Sequence, residues 1–234
     1  MNKLRPPAFH DIARIIGRDV DETEARLYSY YTNPFGAFFS YHRAQALCRF
    51  AFGRMLPLRQ VLEGCGRERT QQGKNCNSEV LRLLWERSAH RSVRTYELAP
   101  KFLTIRKDLN IRVAPPFYFV EGDNAYVFWL QPRKEYAFNV GQLGLLASMV
   151  KVTFLVDDFR DVGFELCDMS APLGKERDPN TYHLESFNIL SEAGIREKLQ
   201  LFALAYDRCV ARGVERSKRT PKQQPPAGPD LFTE

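Results

Sequence analysis

No stretch of the 234 residues reaches the ~18–20 consecutive apolar side chains that a bilayer span requires, so no membrane partner is expected. The five cysteines, at 48, 65, 76, 167 and 209, form no Cys-x-x-Cys pair, and the nearest polar-loop pair, Cys65 and Cys76, has no histidine nearby. The histidines at 10, 42, 90 and 183 form no His-x-His or His-Glu-x-x-His arrangement. Zinc ligation is therefore not expected, and reduced, mostly buried thiols are. The glycines of 62–77 lack the GxxxxGK[ST] spacing of a phosphate-cradling P-loop, and no internal repeat stands out. The opening "MNKLRPPAFHDIARII" carries charge and proline where a secretory signal would carry a long apolar core, which predicts a cytoplasmic protein.

What the chain has is apolar residues at 44% and aromatics at 12%, a composition that argues against general disorder and suits one α/β domain, alone or with a helical extension. The net charge of +6 is unevenly spread. From Arg43 to Lys107 there are fourteen Lys and Arg, eleven of them arginine, against five Asp and Glu, which leaves the remainder at about minus three. Arginine forks onto phosphate better than lysine does. The 43–107 region therefore points to a polyanionic partner such as nucleic acid, bound through phosphate neutralisation. The alternative is a solvated basic face with acidic partners inside the chain.

Residues 8–31 read as one short helix and the start of another. Their Asp19, Asp21, Glu22 and Glu24 would repel DNA, which rules out a helix-turn-helix reader. A largely buried helix is expected from about Gly36 to Phe52, followed by a polar, mobile loop over 62–77. Asn77 or Ser78 is expected to cap a helix over 78–90, in which Arg82 and Glu86 could pair one turn apart. From Thr95 to Lys134 the pattern turns to strands, with a hairpin turn at Gly122-Asp123-Asn124. A buried helix, a strand over 162–168 and a helix capped by Ser191 follow, the last carrying Ile195, Leu199, Phe202, Tyr206 and Cys209 on one stripe. Fold class and domain layout follow: α/β with α+β character, a mixed central sheet flanked by helices, a helical region 1–77, a core 78–212, and a proline-rich, disordered tail 213–234.

The succession of helix 78–90, strands, Pro115-Pro116-Phe117, hairpin, Gln131-x-Arg133-Lys134, helix with Gln142 and strand 162–168 resembles the core of PD-(D/E)xK nucleases, especially the RecB-like branch. The resemblance covers residues 78–170 and implies a restriction-endonuclease-like core. Phe117 stands where that family carries an aspartate after proline, and Gln131-Pro132-Arg133 stands near its Glu-x-Lys. Phenylalanine cannot ligate a metal, glutamine offers only a neutral carbonyl, and arginine does not lose its proton.

Three readings are carried forward. The first is a non-catalytic nucleic-acid-binding or accessory protein without a cofactor, contacting phosphates through Arg82, Arg87, Arg91, Arg94, Arg133 and Lys134. The second is a Mg²⁺-dependent nuclease with relocated groups drawn from Glu86, Glu121, Asp123, Gln131, Lys134, Glu165 and Asp168. The third is a protein-interaction module, cued by the aromatic density of Tyr28–Tyr31 and Phe35–Tyr41.

Overall fold

The computed structural model describes residues 4–33 and 39–216. The tail from 217 onward and the start of the Phe35–Tyr41 aromatic run lie outside the described residues. No described helix is long and apolar enough to cross a membrane.

A five-stranded mixed sheet organises the chain. Strands β1 (Val93–Tyr96), β4 (Phe117–Glu121), β5 (Asn124–Gln131), β6 (Gly163–Asp168) and β7 (Asn180–His183) lie side by side in that order. The first three pair antiparallel, β6 is parallel to β5, and β7 is antiparallel to β6. A parallel neighbour demands a crossover, which helix α6 (Val140–Phe154) supplies. Gly122, with φ of 59°, is the first of the two residues turning β4 into β5, where this turn needs a positive φ. The intervening strands β2 (Lys101–Arg106) and β3 (Leu109–Val113) do not join the sheet, as a single antiparallel series would have required, but pair only with each other.

Alternation along β5 and β6 gives the sheet two apolar faces. Val127, Trp129, Phe164 and Leu166 face a layer built from α1 (Phe9–Ile15), α2 (Val20–Thr32), α6, α7 (Glu192–Ala211) and the β2–β3 hairpin. Phe117, Phe119, Phe128, Leu130, Cys167 and Met169 face the opposite layer, made of α3 (His42–Phe52), α4 (Leu58–Glu63) and α5 (Gln71–Arg87). The helical first third thus divides between both sides of the sheet. Phe52 of α3 meets Phe117, Phe119 and Phe128 with ring centroids 4.9–5.5 Å apart, which anchors the second layer. On the first, the backbone of Asn188 crosses α6 so closely that a Cβ on Gly144 would lie 2.6 Å from its carbonyl oxygen.

The polar segment 62–77 is not a loop. It holds the end of α4, a 3-10 turn over Gly64–Arg67 and the first two turns of α5. The Thr70 hydroxyl accepts from the Gly73 amide 3.0 Å away, so α5 is capped seven residues before Asn77, the first of the expected caps. Asn77 is instead a buried tie: its carbonyl accepts from Ala44 N (2.8 Å), and its amide donates to Ser40 O (2.9 Å) and Gly73 O (2.8 Å). Helix α3 begins at His42, and α7 follows expectation, with Ser191 accepting from Gly194 N and Gly213 leaving the helix at φ 66°.

Asn77→Leu should strand the buried Ala44 amide in the first turn of α3 and remove the side-chain bonds to the Ser40 and Gly73 carbonyls. We expect about 2–3 kcal/mol lost in urea unfolding, with the slope of the transition unchanged.

Candidate functional site

The residues expected to carry chemistry fall into three places. The first lies on the α3–α5 face. Glu121 ends β4, Glu165 sits in β6, and parity turns both toward the helices. Arg91, in the segment after α5, occupies the space between them. Its Nε and Nη2 reach Glu121 at 3.0 and 2.7 Å, and its Nη1 and Nη2 reach Glu165 at 2.8 and 3.0 Å. The guanidinium also lies 4.9 Å from the centre of the Phe52 ring and 5.0 Å from that of Phe119. Burial works against the charge on Arg91, but the two carboxylates raise its pKa well above the ordinary value. Glu121 is held below the usual carboxylate range by the same contact. Two of the acids put forward as relocated metal ligands therefore do converge, on a guanidinium.

The second place is the carboxyl edge of the parallel pair β5–β6, where open α/β sheets commonly bind ligands. Gln131 and Asp168 are register partners there, both facing the α1–α6 layer. Phe117 pairs with Phe128 on the opposite face. Strand parity therefore separates the two positions that the nuclease resemblance brings together, and the neighbours of Phe117 on its own face are Phe128 and Leu130. Gln131 spends its amide on the carbonyls of Tyr136 (2.7 Å) and Arg133 (3.3 Å), shaping the loop after β5. Arg133 forks onto Asp11 of α1 at 2.7 and 3.2 Å. Arg14 stacks 3.6 Å over Phe138 and donates to the Tyr136 carbonyl, while its buried Nε has no hydrogen-bond partner among the described residues. Asp168 accepts from Ser170 N at 2.9 Å, and burial pushes its pKa up. Burial lowers Arg14 to about 10 and His10 to about 4, the latter against the pull of Asp11 3.6 Å away. Gln142, the residue set beside the RecB-like helix glutamine, forms a reciprocal capping box with Asn139 at the start of α6.

The third place was not foreseen. Arg177, in the loop between β6 and β7, has a side chain with no exposure at all. Its Nε donates to Glu79 of α5 (2.9 Å), its Nη1 to the carbonyls of Pro132 (2.8 Å) and Met169 (2.7 Å), and its Nη2 to the Tyr41 hydroxyl (2.8 Å). Four oxygens from four segments thus surround one fixed cation at the strand ends. Lys134 lies half-buried nearby, in electrostatic contact with Cys76, whose thiol burial pushes up. Nothing in the sequence marks this site, because Arg177 stands in a polar loop 98 residues from Glu79 and local spacing holds no trace of the contact.

The other candidates are exposed. Glu86 and Arg82 lie on the outside of α5 without an ion pair between them, and Asp123 sits on the hairpin turn. Arg87 donates to the Thr181 hydroxyl at 2.7 Å, and Arg94 projects from β1. Among the described residues no group of three or more His, Cys, Asp or Glu is arranged to hold a metal ion. All five cysteines are free thiols. No family model, no curated protein and no solved structure matches the chain.

Arg91→Met leaves Glu165, 2% exposed at its side chain, buried without a counter-charge. The expected cost is about 3–5 kcal/mol, most of it recovered when Glu121→Gln and Glu165→Gln are added. Denaturant titration of the single and triple variants reads both.

His10 is neutral in the fold down to about pH 4, whereas an unperturbed imidazole titrates near 6.5. Between those values the unfolded chain binds the extra proton. Stability should therefore fall as pH drops below 6.5, by up to about 1.4 kcal/mol per pH unit, and stop falling on this account below about 4. Urea titrations at pH 7 and pH 5 should show a smaller acid loss in His10→Gln than in the natural chain.

Proposed function

We propose that the chain is a non-catalytic nucleic-acid-binding or accessory protein of the cytoplasm, built on a nuclease-like α/β scaffold, whose α3–α5 layer receives phosphates. One observation carries the reading: the segment 39–91, which forms that layer and ends at Arg91, has ten Lys and Arg against four Asp and Glu. Several of those cations have no carboxylate partner among the described residues and stand at the surface, among them Arg67, Arg69 and Arg82. Arg43 and Arg67 also line a cleft of about 340 Å³ between α3 and α4, together with Gln60 and Glu63. Cations facing only water can release condensed counterions from a phosphate backbone, whereas internally paired ones cannot do so without losing their partners.

The contact set shifts accordingly. Arg91 and Arg133 serve the fold, through Glu121, Glu165 and Asp11. Arg82, Arg87 and Lys134 remain, joined by Arg67 and Arg69, while Arg94 stands on the opposite face of the sheet. The scaffold reading is supported by the order α5, β1, β4, β5, α6, β6, with segments 115–134 and 162–168 in one sheet. The non-catalytic reading is supported by the apolar Phe117, Phe128 and Leu130 on the face opposite Gln131, and by guanidinium groups standing between the acids.

Fluorescence anisotropy with labelled duplex and single-stranded oligonucleotides of mixed sequence tests this. Affinity should fall steeply between about 50 and 200 mM salt, and Arg67→Ala, Arg69→Ala and Arg82→Ala together should reduce the log–log salt slope by about 3. Arg133→Ala should leave that slope unchanged. Affinity indifferent to salt would sink the phosphate reading, and cleavage with Mg²⁺ or Mn²⁺ would sink the non-catalytic one.

A further inference from the structure

The outer end of the sheet carries an unassigned feature on its α6 side. β1 is an edge strand, paired only through β4. Val93 and Thr95 turn toward the α3–α5 layer, where the Thr95 hydroxyl donates to the Met55 sulfur, and alternation sends Arg94 and Tyr96 to the opposite face. Tyr96 is the register partner of Tyr118, and their rings stack with centroids 5.0 Å apart and planes 17° from parallel. Phe159, just beyond α6, meets Tyr118 edge-on at 5.5 Å. Tyr118 is thus held between two aromatic neighbours, while Tyr96, 39% exposed, has one ring face covered and the other toward the open edge. Arg94 stands two residues away on the same side of the strand, exposed and without a carboxylate partner among the described residues.

We propose that Tyr96 and Arg94 form a contact for single-stranded nucleic acid, with an unpaired base stacking on the free face of Tyr96 and Arg94 holding an adjacent phosphate. The inference rests on the nucleic-acid reading above and narrows it to a class of ligand. A duplex keeps its bases stacked on one another and offers an edge tyrosine nothing to stack on, while a single strand presents a π-face at every nucleotide. A ring backed by a second ring loses little side-chain freedom on binding, so most of the stacking energy is retained. A cross-strand tyrosine pair also stabilises a sheet edge on its own account, so the test must separate binding from folding.

The full chain is titrated by anisotropy with labelled oligo-dT, oligo-rU and a mixed-sequence duplex, and each variant is also melted. Tyr96→Ala should weaken single-strand binding about 5- to 150-fold while changing duplex binding about twofold or less. Tyr96→Phe, which keeps the ring, should restore single-strand affinity. Arg94→Ala should weaken single-strand binding and reduce its salt slope by about 1. Unchanged single-strand affinity in Tyr96→Ala, equal loss on single strand and duplex, or failure of Tyr96→Phe to rescue would each overturn the platform. If the natural chain binds neither form of nucleic acid, the wider reading falls with it. If the natural chain binds both and Tyr96→Ala matches it on both, only the platform falls.

Discussion

A sheet covered by apolar layers on both faces leaves its polar groups little water, so each buried acid or strand-end carbonyl needs a cation or donor from the chain itself. Two arginines meet that need at the sheet itself, as Arg133 does for Asp11 of α1. Arg91 serves Glu121 and Glu165 on the face toward α3, and Arg177 ties the ends of β5 and β6 to Glu79 and Tyr41. A planar fork with five donors suits both places, because the oxygens arrive from different strands and helices at fixed directions. The two sites differ in charge balance. Two carboxylates share Arg91, which leaves one negative charge in excess, and the partial exposure of Glu121, 34% at its side chain, lets water stabilise the remainder. Arg177 has a single carboxylate partner and satisfies its other donors on neutral oxygens, so it can be enclosed completely.

For a metal-dependent reaction these contacts have a direct chemical meaning. Divalent-ion chemistry needs hard oxygen ligands gathered around an exchangeable cation with open positions for water and substrate. Here the gathered oxygens surround guanidinium groups that cannot leave, and the sheet face next to Phe117 is apolar. The acidic groups are also spread over both faces: Glu121 and Glu165 toward the α3–α5 layer, Asp168 toward the α1–α6 layer. No register of β6 gathers all three, because a one-residue shift that turned Asp168 toward the α3–α5 layer would turn Glu165 away from it, and would also move Phe164 and Leu166 out of one core and Cys167 out of the other.

Much of this architecture was legible in the residues. The 122–124 turn, the 163–168 strand and the α7 stripe each depend on local rules, a positive-φ glycine, a period of two and a capped period of three to four, and they stand where those rules put them. What was hidden depended on distant partners. Asn77 looked like a cap because asparagine caps helices, but its amide is spent on Ser40 and Ala44, more than thirty residues upstream. β7 has four residues and no alternation of its own, and is a strand only because Glu165 to Asp168 offer it an edge. The β2–β3 hairpin read as part of the sheet because its residues suit any strand, and no local feature specifies which edge it will pair with. The ion pairs of Arg91 with Glu165, 74 residues apart, and of Arg133 with Asp11, 122 apart, removed two of the expected phosphate contacts for the same reason.

These internal debts bear on where a ligand can bind. The carboxyl edge of β5 and β6 has the polar residues of a site, but nearly all of them are committed: Arg133 to Asp11, Gln131 to its own loop, Asp168 to Ser170, Arg177 to four oxygens. A ligand entering there would have to replace those bonds, and each buried group left unpaired costs about 1–3 kcal/mol. Arg82 of α5, Arg67 and Arg69 before it, and the open face of Tyr96 have only water to give up. Counterion release and base stacking both draw on groups of that kind. Because the buried polar groups are satisfied within the chain, the exposed cations of the α5 layer and the β1 edge are the places where the proposed polyanion would displace only water.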